Sequence, residues 1–378
     1  MINNKIFRHD ILLDNTEICN LQQDSDALLK GIVQGHRIVF IGRRNTGKTS
    51  LVKARIIPQF QNMNPKALVV FIDLMGVKTL NQISARFQSA FEHSISRLNP
   101  TTAFLKKLAL SIRNLRPTMG IDALTGQPEF SLGVDSQHSS IPFAAIISEI
   151  GKYHIEHSAL LVIDEFQDVH YVEEAEALFR NAFQQLPADL PVVAMGSKKS
   201  ILAKIFAVPK APLASWGRQY EISKISSEDY TPYFNERLNP VGCTVKELLM
   251  GALIQEMDGI PEAINLIGDW WQRHYAGGGE LTSQDIFPAI AGVVEERHSL
   301  FLEHMKFYTE KEETFLRALA RSQPVKSPLG SLFLSKLKMS PGGAGPLIKR
   351  LEADAIIYRQ PEGFVIGDPI LAHWLRRN

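Results

Sequence analysis

The apolar positions in the first half of the chain fall in short continuous runs. Residues 37–41, 67–73, 159–164 and 191–195 each read as a strand buried on both faces, because none alternates apolar with polar, and 219–223 reads as a fifth strand. Helix-like stretches separate them at residues 50–60, 80–96, 142–153 and 173–186. This alternation predicts an α/β core built on a parallel sheet. Residues 101–140 interrupt the pattern with a helical start, then a run at 122–134 that reads as a small hairpin at the sheet edge. From residue 227 to about 304 the periodicity turns helical with no strand-like run, giving helices at 247–257, 261–274 and 286–304. The glycine cluster at 276–279 is a loop. Beyond it, helices are expected at 310–321, 329–336 and 344–353, followed by short strands at 356–359 and 363–366. Three domains are expected, at residues 1–226, 227–304 and 305–378.

Length and composition agree with that division. A chain of 378 residues exceeds one ordinary core. Its 45% hydrophobic and 21% charged content excludes disordered and collagen-like classes. No apolar run reaches membrane-spanning length, so no membrane role is expected. The first ten residues lack a signal-peptide pattern. Cys19 and Cys243 share no short spacing with each other or with a histidine pair, which argues against a disulfide framework or a zinc site. A cytoplasmic location is expected. Net charge is +1, yet residues 305–378 hold twelve Lys/Arg against seven Asp/Glu. That local +5 marks a basic C-terminal unit.

The chemistry concentrates at two places. Gly42-Arg43-Arg44-Asn45-Thr46-Gly47-Lys48-Thr49 matches the phosphate-loop pattern in full, after a predicted strand and before a predicted helix. Its two glycines let backbone N–H groups curl toward phosphates at the positive end of the helix. Lys48 is expected on the β- and γ-phosphates and Thr49 on Mg²⁺, with Ser50 completing the nucleotide-binding run. Leu160-Leu-Val-Ile-Asp164-Glu165 closes the third strand. Asp164 is expected to orient Mg²⁺, and Glu165 to activate the water that attacks the γ-phosphate. No Asn-Lys-x-Asp guanine-reading run occurs, which favours ATP. After the fourth strand, Ser197 is either a polar contact for water and γ-phosphate or a serine turn. The first alternative requires that strand to lie between the first and third. Arg218, before the fifth strand, is either an arginine finger toward a neighbouring subunit or a surface arginine.

Ile41-Gly-Arg-Arg-Asn-Thr-Gly-Lys-Thr-Ser-Leu51, Leu-Val-Ile-Asp-Glu-Phe-Gln167 and Gly-Ser197 together resemble the archaeal-type P-loop ATPases, in the STAND and initiator-like branch of the AAA+ superfamily. Met257-Asp-Gly-Ile-Pro-Glu262 is similar to the Gly-x-Pro turn of their helical lid. Val365-Ile-Gly-Asp368-Pro-Ile-Leu-Ala-His-Trp-Leu375 is similar to their terminal Asp-Pro-x-x-x-x-Trp-Leu signature. The resemblance implies a RecA-like AAA+ core with a helical lid and a C-terminal winged helix, binding ATP or ADP with Mg²⁺ between core and lid. Two positions depart from it. Residues 18–26 lack the Gly-Arg-Glu adenine-side box, and Glu262 stands where initiator relatives carry a γ-phosphate arginine.

Within the winged helix, residues 340–351 would be the turn and recognition helix. Lys349 and Arg350 lie on it and Arg359 near the wing, so DNA is the expected partner there. A face that docks protein is the alternative. Trp374 and Leu375 are expected to pin the tail to the core, and Trp270 and Trp271 to pack rather than bind. The leading expectation is a DNA-associated ATPase switch or loader, oligomeric in its ATP state. The alternative is a STAND-type regulator that hydrolyses slowly and acts on protein. A metabolic kinase fits poorly, because Glu165 primes water rather than a substrate hydroxyl.

Overall fold

The computed structural model describes residues 5–9, 11–98, 115–121, 128–134, 142–275 and 277–377. The helical start expected at residue 101 lies outside them. The described residues divide into two compact units. One comprises residues 22–43 and 48–222; the other comprises 1–21, 44–47 and 223–378. The segments expected as lid and winged helix therefore share one unit, which also takes the first 21 residues.

The first unit is built on a five-stranded parallel sheet in the order β2-β5-β6-β1-β7. Its strands are β1 (Arg37–Ile41), β2 (Leu68–Asp73), β5 (Ala159–Asp164), β6 (Val192–Gly196) and β7 (Arg218–Glu221). All five fall where they were expected, within a residue or two, but β7, at the edge of the sheet, is largely exposed rather than buried on both faces. Every residue of β5 and β6 is buried, as central parallel strands require. The fourth strand of this sheet, β6, lies between the first and third, which is the condition attached to Ser197. A separate hairpin pairs β3 (Leu115–Ile121) with β4 (Pro128–Val134). It begins earlier than the expected 122–134, because its first strand carries no apolar run to announce it.

Helices cover the sheet. α1 (Gln22–Val33) precedes β1. After the phosphate loop comes a continuous helical segment. It runs through α2 (Lys48–Leu51), a π-helical turn (Val52–Ile56) and α3 (Ile57–Met63). α4 (Leu80–Arg97) is capped by Thr79, whose hydroxyl accepts from the Gln82 N–H at 3.2 Å. It buries Ile83, Phe87, Phe91 and Ile95, one per turn, each worth about 1.5–3 kcal/mol of transfer free energy. α5 (Phe143–Glu156) and α6 (Ala175–Gln184) pack beside it, with the Phe143 and Phe179 rings 4.5 Å apart. α7 (Lys199–Phe206) follows β6.

The second unit is mainly helical. α8 (Ser227–Leu238), α9 (Glu247–Glu256) and α10 (Pro261–His274) come first. Asp258 and Gly259 adopt positive φ (51° and 67°), and Pro261 opens α10, so the lid-like turn has a conformational cause. Trp271 is fully buried, its indole N–H donating to the Asp285 carbonyl at 3.1 Å. Trp270 stacks on His274 with ring centres 4.3 Å apart.

Two expectations fail here. β8 (Cys243–Thr244) pairs in parallel with β9 (Gly279–Glu280), where no strand was read. Two residues are too short to show any period. The single helix expected at 286–304 is two, α11 (Ile286–Glu296) and α12 (His298–Met305). The break is at Arg297, whose backbone (φ −96°, ψ 4°) leaves the helical region while the apolar spacing continues across it.

The C-terminal part carries α13 (Glu310–Ser322), α14 (Ser331–Ser335), α15 (Pro341–Ala353) and α16 (Pro369–Arg377). β10 (Ile357–Gln360) and β11 (Gly363–Ile366) form an antiparallel wing. Val325 adds a bridge to Phe364, with N–H···O distances of 2.8 and 3.0 Å. The Asp-Pro pair near the end is a helix start: Asp368 Oδ1 accepts from the Ile370 and Leu371 N–H groups at 2.8 and 3.3 Å, and Pro369 is the first residue of α16. Trp374 and Leu375 are buried, and the Trp374 indole bonds His298 at 2.9 Å, so the tail is pinned as expected. Among the described residues no helix is long and apolar enough to cross a membrane.

Candidate active site

The carboxyl ends of β1, β5 and β6 come together because these strands are neighbours in the sheet. Such ends are where open α/β sheets hold ligands. Ile41 pairs with Gly196, and the Gly42 N–H donates to the Gly196 carbonyl at 3.2 Å, so the phosphate loop departs beside the end of β6. Within the loop, Asn45 and Gly47 take positive φ (63° and 84°). Backbone of this kind turns successive N–H groups to one side, forming an anion cradle at the start of α2.

Lys48 is buried, 5% exposed, and its ammonium donates to the Arg43 carbonyl at 2.8 Å. It thus folds back along its own loop. The Thr49 hydroxyl donates to Asp164 Oδ2 at 2.7 Å, joining loop to β5. Burial pushes the Asp164 carboxyl above its ordinary range, against the opposing pull of the Thr49 hydroxyl and the Lys48 charge. Hard oxygen donors set beside a lysine and a row of N–H groups suit Mg²⁺ held with a nucleotide phosphate.

Glu165 takes a left-handed backbone (φ 51°, ψ 39°), and its N–H donates to Asp164 Oδ1 at 2.9 Å. Phe166 anchors the turn, its ring 5.1 Å from that of Phe179 and 5.4 Å from that of Phe206. The chain then enters a 3₁₀ turn (Phe166–Tyr171). Ser197, 1% exposed, directs its hydroxyl to Glu165 Oε2 at 3.1 Å. The structure therefore joins Lys48, Thr49, Asp164, Glu165 and Ser197 through three neighbouring strand ends.

Gln167 completes this group, and sequence reasoning gave it no role. It is fully buried; its amide N–H₂ donates to Glu165 Oε2, and its Oε1 accepts from the Ser197 N–H at 3.2 Å. The space for it is made by Gly196, where an added Cβ would lie 2.2 Å from Gln167 Oε1 and 3.0 Å from Leu202 Cδ1. Gly196→Ala should therefore cost about 1–3 kcal/mol of stability through overpacking, read from the denaturant midpoint at unchanged slope.

The other expected residues lie apart. Arg218 is exposed at the start of the outer strand β7. Lys349 and Arg359 are exposed on α15 and β10. Arg350 is half exposed and held by acids: Nη1 donates to Glu312 Oε1 at 2.9 Å, and Asp354 lies 3.7 Å from Nε. Glu262 is 3.9 Å from Arg297, and burial pushes its carboxyl above the ordinary range. The turn preceding α1 holds Cys19 and Leu21 buried, at the place where the adenine-side box is missing.

Sheet order, phosphate loop and acidic strand end together give the first unit the fold of a P-loop α/β core. The comparisons agree. Residues 299–377 match a family model described as a probable winged helix domain. That span takes in α12, whose Phe301 ring lies 5.9 Å from Trp374. The Walker-type ATPase of Pyrococcus abyssi superposes with a TM-score of 0.66 at 18% identity, over 98% of this chain and 99% of that one. The ORC2 protein of Aeropyrum pernix, solved with ADPNP and ADP, gives 0.51 at 14% identity, over 99% and 96%. The ORC1 protein of the same organism, solved with DNA, gives 0.50 at 10% identity, over 98% and 94%. No curated protein matches the sequence.

Proposed function

We propose that this chain binds and hydrolyses ATP as a nucleotide-controlled switch or loader that acts on DNA. The observation that carries the reading is the Thr49–Asp164 hydrogen bond, 2.7 Å long, beside the buried Lys48 and the Glu165 turn. It unites both halves of a phosphate-transfer site across 115 residues of sequence. The loop N–H groups and Lys48 bind phosphate, the lysine exchanging the Arg43 carbonyl for phosphate oxygens. Thr49 and Asp164 hold Mg²⁺, which spreads the charge of the β- and γ-phosphate oxygens when bound. Glu165 takes the proton of the attacking water, and Ser197 orients the same region.

The DNA part of the reading rests on the winged helix, on the local basic excess, and on likeness in fold to the ORC1 protein solved with DNA. Oligomerisation in the ATP state would bring Arg218, exposed on an outer strand, to a neighbouring copy's nucleotide. Lys349 and Arg359 are the phosphate contacts. Arg350 contributes less, because Glu312 and Asp354 already neutralise it. Lys349→Ala with Arg359→Ala should flatten the slope of log affinity against log salt by about two units, near 0.9 per duplex phosphate released. Adding Arg350→Ala should change the slope little, and ATP affinity should stay constant throughout. Absence of duplex binding at low salt in every nucleotide state overturns the DNA reading.

The Arg350 ion pairs favour a second reading. A basic helix turned onto its own domain suits a STAND-type regulator whose winged helix meets protein. Tight nucleotide retention with little turnover, and no DNA retention, would select it.

A further inference from the structure

Gln167 is a fully buried polar side chain beside the strand ends that neither phosphate binding nor metal binding uses. Its amide carries two demands at once. Toward β6 it must accept from the Ser197 N–H; toward Glu165 it must donate to a carboxylate. A carboxamide meets both in one orientation, with oxygen toward the N–H and nitrogen toward the carboxylate. An ionised glutamate would set acceptor against acceptor, and an apolar side chain would leave the Ser197 N–H without this bond. The Ser197 hydroxyl closes the triangle on the same carboxylate oxygen, at 3.1 Å. Glu165 sits in a left-handed turn at a strand end, and these two donors fix where its carboxylate lies.

We propose that Gln167 is a positioning residue for hydrolysis: its side-chain amide ties the Glu165 carboxylate to the end of β6 and so sets where the base faces the attacking water. The inference rests on the hydrolase reading above. Gln167 touches neither nucleotide nor water in this role and acts through Glu165 alone. Gly196 belongs to the device, since only a residue without a Cβ leaves the slot that the amide fills.

The test compares steady-state ATP hydrolysis and calorimetric ATP affinity in the wild type, Gln167→Met and Gln167→Glu. Methionine keeps the buried volume, so this variant should fold even if the charged one does not. Misplacing a catalytic group by about 1 Å can cost on the order of 10²-fold in rate. The expected result is kcat lower by about 10-fold or more in both variants, with KM and ATP affinity within about twofold of wild type. In a Glu165→Gln background, Gln167→Met should lower kcat no further, because the group it positions is already gone. Undiminished kcat, a matching loss of ATP affinity, or a multiplicative loss on top of Glu165→Gln overturns the inference. Each of these leaves wild-type turnover and the hydrolase reading standing. A wild type that binds ATP and never hydrolyses it overturns both.

Discussion

Lys48→Ala should abolish ATP binding in calorimetry. Lys48 is the one ammonium inside the phosphate loop, and it lies 5% exposed, so no solvent ion substitutes for it easily. Its present hydrogen bond to the Arg43 carbonyl is neutral at the acceptor, and charged oxygens make the stronger partner. Removing it leaves a triphosphate facing N–H dipoles alone, with the Asp164 and Glu165 carboxyls close by. Losing a charge-assisted hydrogen bond to phosphate in such a setting costs about 1.5–3 kcal/mol before the unscreened repulsion is counted. The measured signal should fall to background at concentrations that saturate the wild type. The variant's thermal unfolding without nucleotide should stay near wild type, because burying an ammonium contributes little to the fold by itself. Unchanged ATP affinity would remove the phosphate-site assignment and everything built on it.

What the sequence made legible follows from range. The phosphate loop lies within eight consecutive residues, and Asp164 and Glu165 end one apolar run, so both sites are local patterns. The inner sheet strands were legible for the same reason: burial on both faces writes itself as unbroken apolar residues, whereas the outer strand β7, largely exposed, carries no such run. Juxtapositions across the chain were not. Whether Ser197 reaches the site depends on β6 lying between β1 and β5, which no local pattern states. Gln167 and Ser197 are thirty positions apart, and their contact needs the same strand order. Arg350 looked like a free basic residue because Glu312, its partner, lies thirty-eight positions upstream. Arg297 shows the opposite case: the apolar period of α11 continues into α12, and only the backbone angles reveal the break.

The Glu165→Gln variant separates binding from turnover. Replacing the carboxylate by an amide keeps size and shape, so the turn held by Phe166 and the Thr49–Asp164 bond should persist. Nucleotide affinity should then remain within a small factor of wild type, since Lys48, the loop N–H groups and Asp164 are untouched. Hydrolysis should fall by roughly 10²-fold or more, the scale of losing a positioned general base. One local adjustment comes with it. The new amide meets the Gln167 amide and the Ser197 hydroxyl, both of which now donate to a carboxylate oxygen. Both donors meet the same oxygen, Oε2, and an amide oxygen in its place has two lone pairs to accept them, so the side chain turns its nitrogen away from Gln167 and Ser197. The variant should therefore trap ATP unhydrolysed, readable as intact nucleotide after gel filtration, while wild type under the same conditions carries ADP. Wild-type turnover in this variant would place the base elsewhere among the residues near the ends of β5 and β6. It would leave Lys48, Thr49 and Asp164 as a nucleotide site without its assigned base.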